Sequence, residues 1–310
     1  MNMVSPDRPT VALIAGPTAS GKSALALALA ERHRGTIINA DSMQVYADLR
    51  VLTARPSIEE ETRAPHRLFG HVDGADAYSA ARWAAEARAE IAQAHAQERL
   101  PILVGGTGLY LRTLLDGIAP VPEIAPDIRR AVRAMPVALA HAALALADPP
   151  AAARLAPADT LRVARALEVV RSTGRPLAEW QAQRVGGIAD AVRLVPLILL
   201  PDRDWLGARI DRRFADMVDS GRDEAAALLA RTDIPADAPL LRAIGVPELR
   251  ALMAGEIDTG QAVAAGALAS RQYAKRQYTW FRRQPPPEWE RTSETEKHSL
   301  ISLFETKLPQ

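Results

Sequence analysis

The chain has 310 residues, 48% hydrophobic and 24% charged, which excludes a disordered, collagenous or coiled-coil protein. Lys plus Arg number 38 against 37 Asp plus Glu, so the net charge of +1 announces no nucleic-acid partner, and any such partner has to be sought in local patterning. Cysteine is absent, which excludes disulfides, thiolate zinc sites and thiol catalysis and agrees with a reducing compartment.

The first third alternates strand and helix patterns. Thr10 to Ala15 is a short apolar run that reads as a buried strand, and Lys22 to Arg34 reads as an Ala/Leu helix. Thr36 to Ala40 is a second strand candidate, Tyr78 to Glu98 a long helix, Pro101 to Val104 a third strand and Gly108 to Leu115 another helix. This order predicts an α/β fold with a parallel sheet covered by helices. From about Pro120 to Val185 the strand patterns vanish. Asp159, followed by Thr160 to Ser172 and closed by Gly174, reads as a capped helix. Val192 to Leu200 returns to buried strand, and helices follow to about Arg283. Pro285 to Pro287 end the pattern, and a polar, loosely held tail is expected beyond them. The expected organisation is therefore a core of residues 1–120 and 188–310 interrupted by a helical insertion of residues 121–187. The most apolar stretches, Leu194 to Leu200 and Val137 to Ala147, are shorter than the ~20 residues of a membrane span. The opening MNMVSPDRPT lacks the pattern of an export signal, so a cytoplasmic protein is expected.

GPTASGKS, comprising Gly16, Pro17, Thr18, Ala19, Ser20, Gly21, Lys22 and Ser23, matches G-x-x-x-x-G-K-[ST] at every fixed position. It follows a strand and opens a helix, as a phosphate loop requires. Backbone N–H groups and the helix N-terminus would hold phosphate oxygens, Lys22 would add a cation and Ser23 a hydroxyl for Mg²⁺. The motif specifies phosphate or diphosphate, not ATP or hydrolysis. The strand at Ile102 to Val104 ends in Gly-Gly-Thr, without the Asp of an ordinary metal-binding strand end. The acidic residue at a strand end is instead Asp41, which opens DSMQVY. A carboxylate there can bind Mg²⁺, take a proton from a nucleophile, or simply cap a helix. GGTGLY, with Thr107, suits close approach to a ligand or a plain strand-to-helix turn. RQYAKRQYTWFRR, Arg271 to Arg283, is wholly basic with interleaved aromatics. Arg271, Lys275, Tyr278 and Arg282 share one helical face, which suits RNA backbone and base stacking or a solvated helix with aromatics turned inward. Arg209 and Arg213, four apart above a buried face of Ile210, Phe214, Met217 and Val218, can point together into a cleft.

In order, GPTASGKS, DSMQVY, PHRLFGHVD, YSAARW, GGTGLY, RALEV, RAIG and YAKRQYTWFR resemble the motifs of the tRNA isopentenyltransferase family, the tRNA dimethylallyltransferases, over nearly the whole chain. The resemblance implies a P-loop NTPase-like fold. It also implies transfer of a dimethylallyl group from dimethylallyl diphosphate to N6 of the tRNA adenosine just 3′ of the anticodon. By the same resemblance Asp41 is the general base, Thr18 and Arg213 assist departure of diphosphate, and Gly16 to Ser23 hold it. Ser23 and Asp41 would hold Mg²⁺. Contacts to tRNA are implied for Asp41, Ser42, Met43, Gln44, Thr107, Leu161, Arg162, Val163, Ala164, Arg165, Arg242, Ala243, Ile244, Gly245, Val246 and Pro247. Arg271, Lys275 and Arg282 of the basic helix join them. The insertion would grip the anticodon stem-loop, and a monomer without membrane attachment is expected. The chain departs from the family pattern at Leu161, where Gln is usual, at Val246-Pro247, where Tyr-Arg is common, and at Leu52 to Pro56, where Gly-Thr-Ala-Lys-Pro is usual. Alternatives from the residues alone are a small-molecule or nucleoside kinase, a free-adenylate isopentenyltransferase and a nucleotide-gated RNA-binding module.

Overall fold

A computed structural model describes residues 8–308. The segment MNMVSPD, on which part of the export-signal expectation falls, lies outside the described residues. Strand β1 (Thr10–Ala15) leads into α1 (Lys22–Arg32), β2 (Gly35–Asn39), α2 (Ile58–Arg63), β3 (His66–Arg67), α3 (Ala80–Ala96), β4 (Leu100–Gly105) and α4 (Gly108–Asp116). Five helices follow without an intervening strand: α5 (Pro126–Arg133), α6 (Val137–Ala147), α7 (Pro149–Arg154), α8 (Thr160–Thr173) and α9 (Leu177–Gln181). The chain continues with β5 (Arg193–Leu199), α10 (Arg203–Ser220), α11 (Arg222–Ala230), a 3₁₀ turn at Pro239–Arg242, α12 (Val246–Met253), α13 (Thr259–Arg283), β6 (Glu290–Thr292) and α14 (Lys297–Glu305).

Contacts divide the chain into one compact unit of Met1–Leu114 with Ala189–Gln310 and another of Leu115–Ile188. The first holds a six-stranded sheet in the order β3-β2-β4-β1-β5-β6, every pair parallel. Strand β1 is central and its residues Val11 to Ala15 are fully buried, which explains its unbroken apolar run. Because all strands run the same way, the carboxyl ends of β1, β2 and β4 lie along one edge of the sheet. They deliver Gly16, Asp41 and Gly106 to the place where open α/β sheets bind ligands. The second unit packs Val132, Ala140, Leu144, Val163, Ala166 and Leu167 around the long helix α8. Asp159 caps α8 by accepting from the Arg162 N–H, and Gly174 ends it at φ 68°.

The tail beyond Pro287 corrects the expectation of a loosely held segment. Glu290 to Thr292 pair with Leu197 to Leu199 as the sixth strand. Leu300, Ile301 and Phe304 of α14 are buried in the same core as Leu25 and Leu29 of α1. A three-residue polar edge strand is too short for a period-two signal. The short apolar face of α14 is diluted by Lys, His and Ser, so neither element stood out. The two-residue β3 went unnoticed for the same reason. Helix ends elsewhere differ from the expected ones by one or two residues, the usual fraying range.

Candidate functional site

The phosphate loop turns tightly at the end of β1. Gly16 has φ 150°, and a Cβ there would fall 2.4 Å from the Leu199 carbonyl oxygen, so no side chain fits. Ala19 at φ 64° and Gly21 at φ 95° complete the turn into α1. Lys22 donates from Nζ to the Pro17 carbonyl at 2.8 Å, curling over the loop. Burial pushes its ammonium down to about 8, against the opposing charge of Asp41 and with that of Arg213.

Thr18 is held from two sides. Its N–H donates to Gln277 Oε1 at 2.8 Å, and its Oγ1 accepts from Arg213 Nη2 at 2.5 Å. Arg213 comes from α10, whose buried face is Leu206, Ile210, Phe214, Met217 and Val218, as the spacing predicted. Burial lowers the guanidinium's pKa, neighbouring Arg209 adds to the shift, and Asp41 opposes it.

Asp41 lies two residues past β2. Buried Asn39 braces it by accepting from the Asp41 N–H at 2.8 Å and donating to the Asp41 carbonyl at 3.0 Å. The Asp41 carboxylate accepts from the Met43 N–H at 2.9 Å, an Asx turn that fixes its rotamer. The neighbouring Ser42 N–H donates to Thr107 Oγ1 at 3.0 Å, and the Thr107 N–H donates to the Ala40 carbonyl at 3.1 Å. Gly105 makes that approach possible, since a Cβ would sit 2.2 Å from the Ala40 carbonyl carbon and oxygen.

These groups surround one cavity of about 270 Å³. Thr18, Lys22, Ser23, Asp41, Gln44, Gly105, Arg209 and Arg213 line it, with Thr53, Ala54 and Pro56 on a facing loop and Glu60 in the first turn of α2. One residue that sets this loop was not apparent from the sequence. The Glu224 carboxylate accepts from the backbone N–H groups of Arg50, Val51 and Leu52 at 2.7, 3.0 and 2.6 Å, and nothing in the local pattern around Glu224 signals it. Gln44 donates to the carbonyls of Thr53 and Ala54, both at 2.9 Å. Gln277 is the other omission, and its position on the buried stripe of α13 was a signal that could have found it.

In the sheet unit, none of the expected residues 242–247 lines this cavity. Arg242, Ile244 and Pro247 reach the surface to different degrees, whereas Ala243, Gly245 and Val246 are buried. In the helical unit Leu161, Arg162 and Arg165 are exposed, Ala164 is half-buried and Val163 is fully buried. Val163, Ala243 and Val246 thus pack in hydrophobic interiors, and their side chains do not present an RNA-facing surface. On α13, Arg271 pairs with Asp211, while Lys275 and Arg282 are exposed. Lys275, Arg276, Thr279, Trp280, Arg283 and Gln284 line a second cavity of about 420 Å³. The helix combines both readings of its sequence: basic residues face outward, while Phe281 is buried and Trp280 lies against Gly108.

The model of the IPP transferase family matches residues 44–284. The chain belongs to the IPP transferase family. Over 300 residues it is 64% identical to a tRNA dimethylallyltransferase of Sphingopyxis alaskensis, covering 96% of this chain and 98% of that one. A full-length tRNA isopentenylpyrophosphate transferase from Bacillus halodurans superposes with a TM-score of 0.68 at 32% identity, over 97% of this chain and 95% of that one. A eukaryotic dimethylallyltransferase solved acting on tRNA gives a TM-score of 0.76 at 28% identity, over 88% and 70%. The parallel sheet with a phosphate loop after its central strand is the P-loop NTPase-like fold of this family. Among the described residues no helix is long and apolar enough to cross a membrane.

Proposed function

We propose that this chain is a tRNA-modifying prenyltransferase. It moves the dimethylallyl group of dimethylallyl diphosphate to N6 of the adenosine immediately 3′ of the anticodon. The observation that carries this reading is the convergence on one cavity of a phosphate loop, the Thr18–Arg213 pair and the Asp41 carboxylate. The C1–O bond of the donor breaks as the N6–C1 bond forms. Asp41 accepts the N6 proton, and the electron pair leaves with diphosphate. The loop N–H groups, Lys22 and Arg213 hold the charge that develops on the leaving oxygens. The adenine amine is a weak nucleophile, so base assistance and leaving-group neutralisation both matter.

Ser23 and Asp41 would hold Mg²⁺. Among the described residues no cluster of three His, Cys, Asp or Glu could cage a metal. One hydroxyl and one carboxylate lining the same cavity suit an ion that takes a few protein oxygens and completes its shell with phosphate and water. When bound, the ion neutralises charge on the diphosphate. Thr107 and Asp41 to Gln44 contact the acceptor nucleotide. The helical unit, with Arg162 and Arg165, and the basic face of α13 bind the anticodon stem-loop. Drawing the target base out of its stack is the general requirement for chemistry on it. The protein acts as a cytoplasmic monomer.

The deciding experiment incubates the protein with dimethylallyl diphosphate and unmodified tRNA, followed by mass analysis of the nucleosides. N6-dimethylallyladenosine is the expected product. ATP-dependent phosphorylation of a small acceptor without prenyl transfer would instead establish a kinase, and prenylation of AMP in preference to an anticodon stem-loop would establish a free-adenylate enzyme.

Donor affinity also carries a pH signature. Lys22 is an ammonium below about 8 and loses its proton above it, whereas a bound diphosphate favours the charged form. Dimethylallyl diphosphate affinity, measured by calorimetry, should be level with respect to Lys22 below pH 8. Above it, affinity should weaken by up to about tenfold per pH unit. Lys22→Met should bind more weakly throughout and show no break near that pH.

A further inference from the structure

We infer that Gln277 is a positioning residue that sets the Thr18–Arg213 pair against the acceptor loop. This rests on the proposed prenyl-transfer site. Gln277 lies on α13, whose exposed face carries Lys275 and Arg276, yet its own side chain is only 6% exposed. Its amide reaches two loops at once. Oε1 accepts from the Thr18 N–H at 2.8 Å, and Nε2 donates to the Gly106 carbonyl at 2.9 Å.

A glutamine needs one neutral acceptor and one donor at its end, and here both are satisfied between loops 259 and 171 residues away in sequence. Gly106 is shaped for the brace, because a Cβ there would fall 2.2 Å from Gln277 Nε2. One residue on, Thr107 is held by Ala40 and Ser42: its N–H donates to the Ala40 carbonyl and its Oγ1 accepts from the Ser42 N–H. A single helix therefore fixes both the diphosphate loop and the loop beside Asp41. Through its N–H, Thr18 is oriented to keep its hydroxyl on Arg213. Removing the brace frees Thr18 to rotate and leaves the buried Gly106 carbonyl without its partner. Because near-attack geometry tolerates little displacement, the loss appears in the chemical step and not in tRNA capture.

The test is a cycle of Gln277→Leu, Thr18→Val and the double variant, read as kcat, as KM for tRNA and as calorimetric affinity for inorganic diphosphate. Gln277→Leu should lower kcat about tenfold with KM for tRNA within about twofold. The double variant should fall short of the product of the two penalties, because part of what Gln277→Leu removes acts through the Thr18 hydroxyl that Thr18→Val has already taken away. Additive penalties, or a matching rise in tRNA KM with kcat unchanged, would overturn the inference. If the Leu variant does not fold, Gln277→Glu replaces it in the same cycle. It keeps the acceptor for Thr18, loses the donor to Gly106, and should still cost about fivefold in kcat. Failure of the wild-type protein to prenylate tRNA would sink the proposed function. The diphosphate affinities would still score the brace, where equal affinity in wild type and in the Gln277 variant used would reject it.

Discussion

Asp41→Asn lowers kcat about a thousandfold while tRNA affinity stays within about threefold. Asparagine has the same shape, and its side-chain oxygen can still accept from the Met43 N–H that sets the rotamer. Asn39 acts on the backbone of residue 41 and is indifferent to the change. What is lost is a group able to take the N6 proton as the new C–N bond forms, a contribution of about 10²–10⁴ in rate for general bases. There is a secondary cost. The Asp41 charge opposes the burial that pulls Lys22 down to about 8, so its removal lowers that ammonium further and raises the donor KM at neutral pH. Single-turnover prenylation with saturating donor isolates the first effect from the second. A loss smaller than about tenfold would remove Asp41 from the role of base. Loss of tRNA binding in step with activity would reassign it to holding the acceptor.

How much of this site the sequence revealed depends on how local each contact is. The phosphate loop is legible because its glycines, Lys22 and Ser23 act within one turn, and a fixed spacing captures that. Asp41 is legible as the first residue of a loop after a buried strand. The distance between Thr18 and Arg213 is not legible, since 195 residues separate them and only the sheet and α10 bring them together. The family resemblance supplied that pairing; no spacing did. Gln277 lies in a segment whose dominant pattern is the charge of Arg and Lys. A helical wheel over Ala262, Gly266, Ala267, Ser270, Ala274 and Phe281 places it on the buried stripe, and a polar residue on such a stripe signals a specific partner. Glu224 gave no such signal, because an acid on the first turn of a short helix satisfies ordinary helix preferences. Strand β6 and helix α14 were lost to length: three and nine residues carry too few positions for a period to emerge.

Arg213→Ala lowers kcat about three-hundredfold and does so without loss of folding stability. The guanidinium sits deep beside Thr18, with burial and the like charge of Arg209 both working against its ionised form. Asp41 opposes them, so before diphosphate arrives two guanidinium charges face one carboxylate at this point. That arrangement is unfavourable for the fold and favourable for a leaving group that gains charge in the transition state. Removing Arg213 therefore should leave the thermal midpoint unchanged or raise it. The hydrogen bond to Thr18 Oγ1 at 2.5 Å is lost with the side chain. Arg213→Lys restores charge but lacks the planar fork, so it should recover only part of the rate. Measured together, kcat, donor KM and thermal midpoint separate the alternatives. A midpoint lowered by several degrees along with kcat would mean that Arg213 holds the site together; a fall in kcat with the midpoint held or raised places its work on the departing diphosphate.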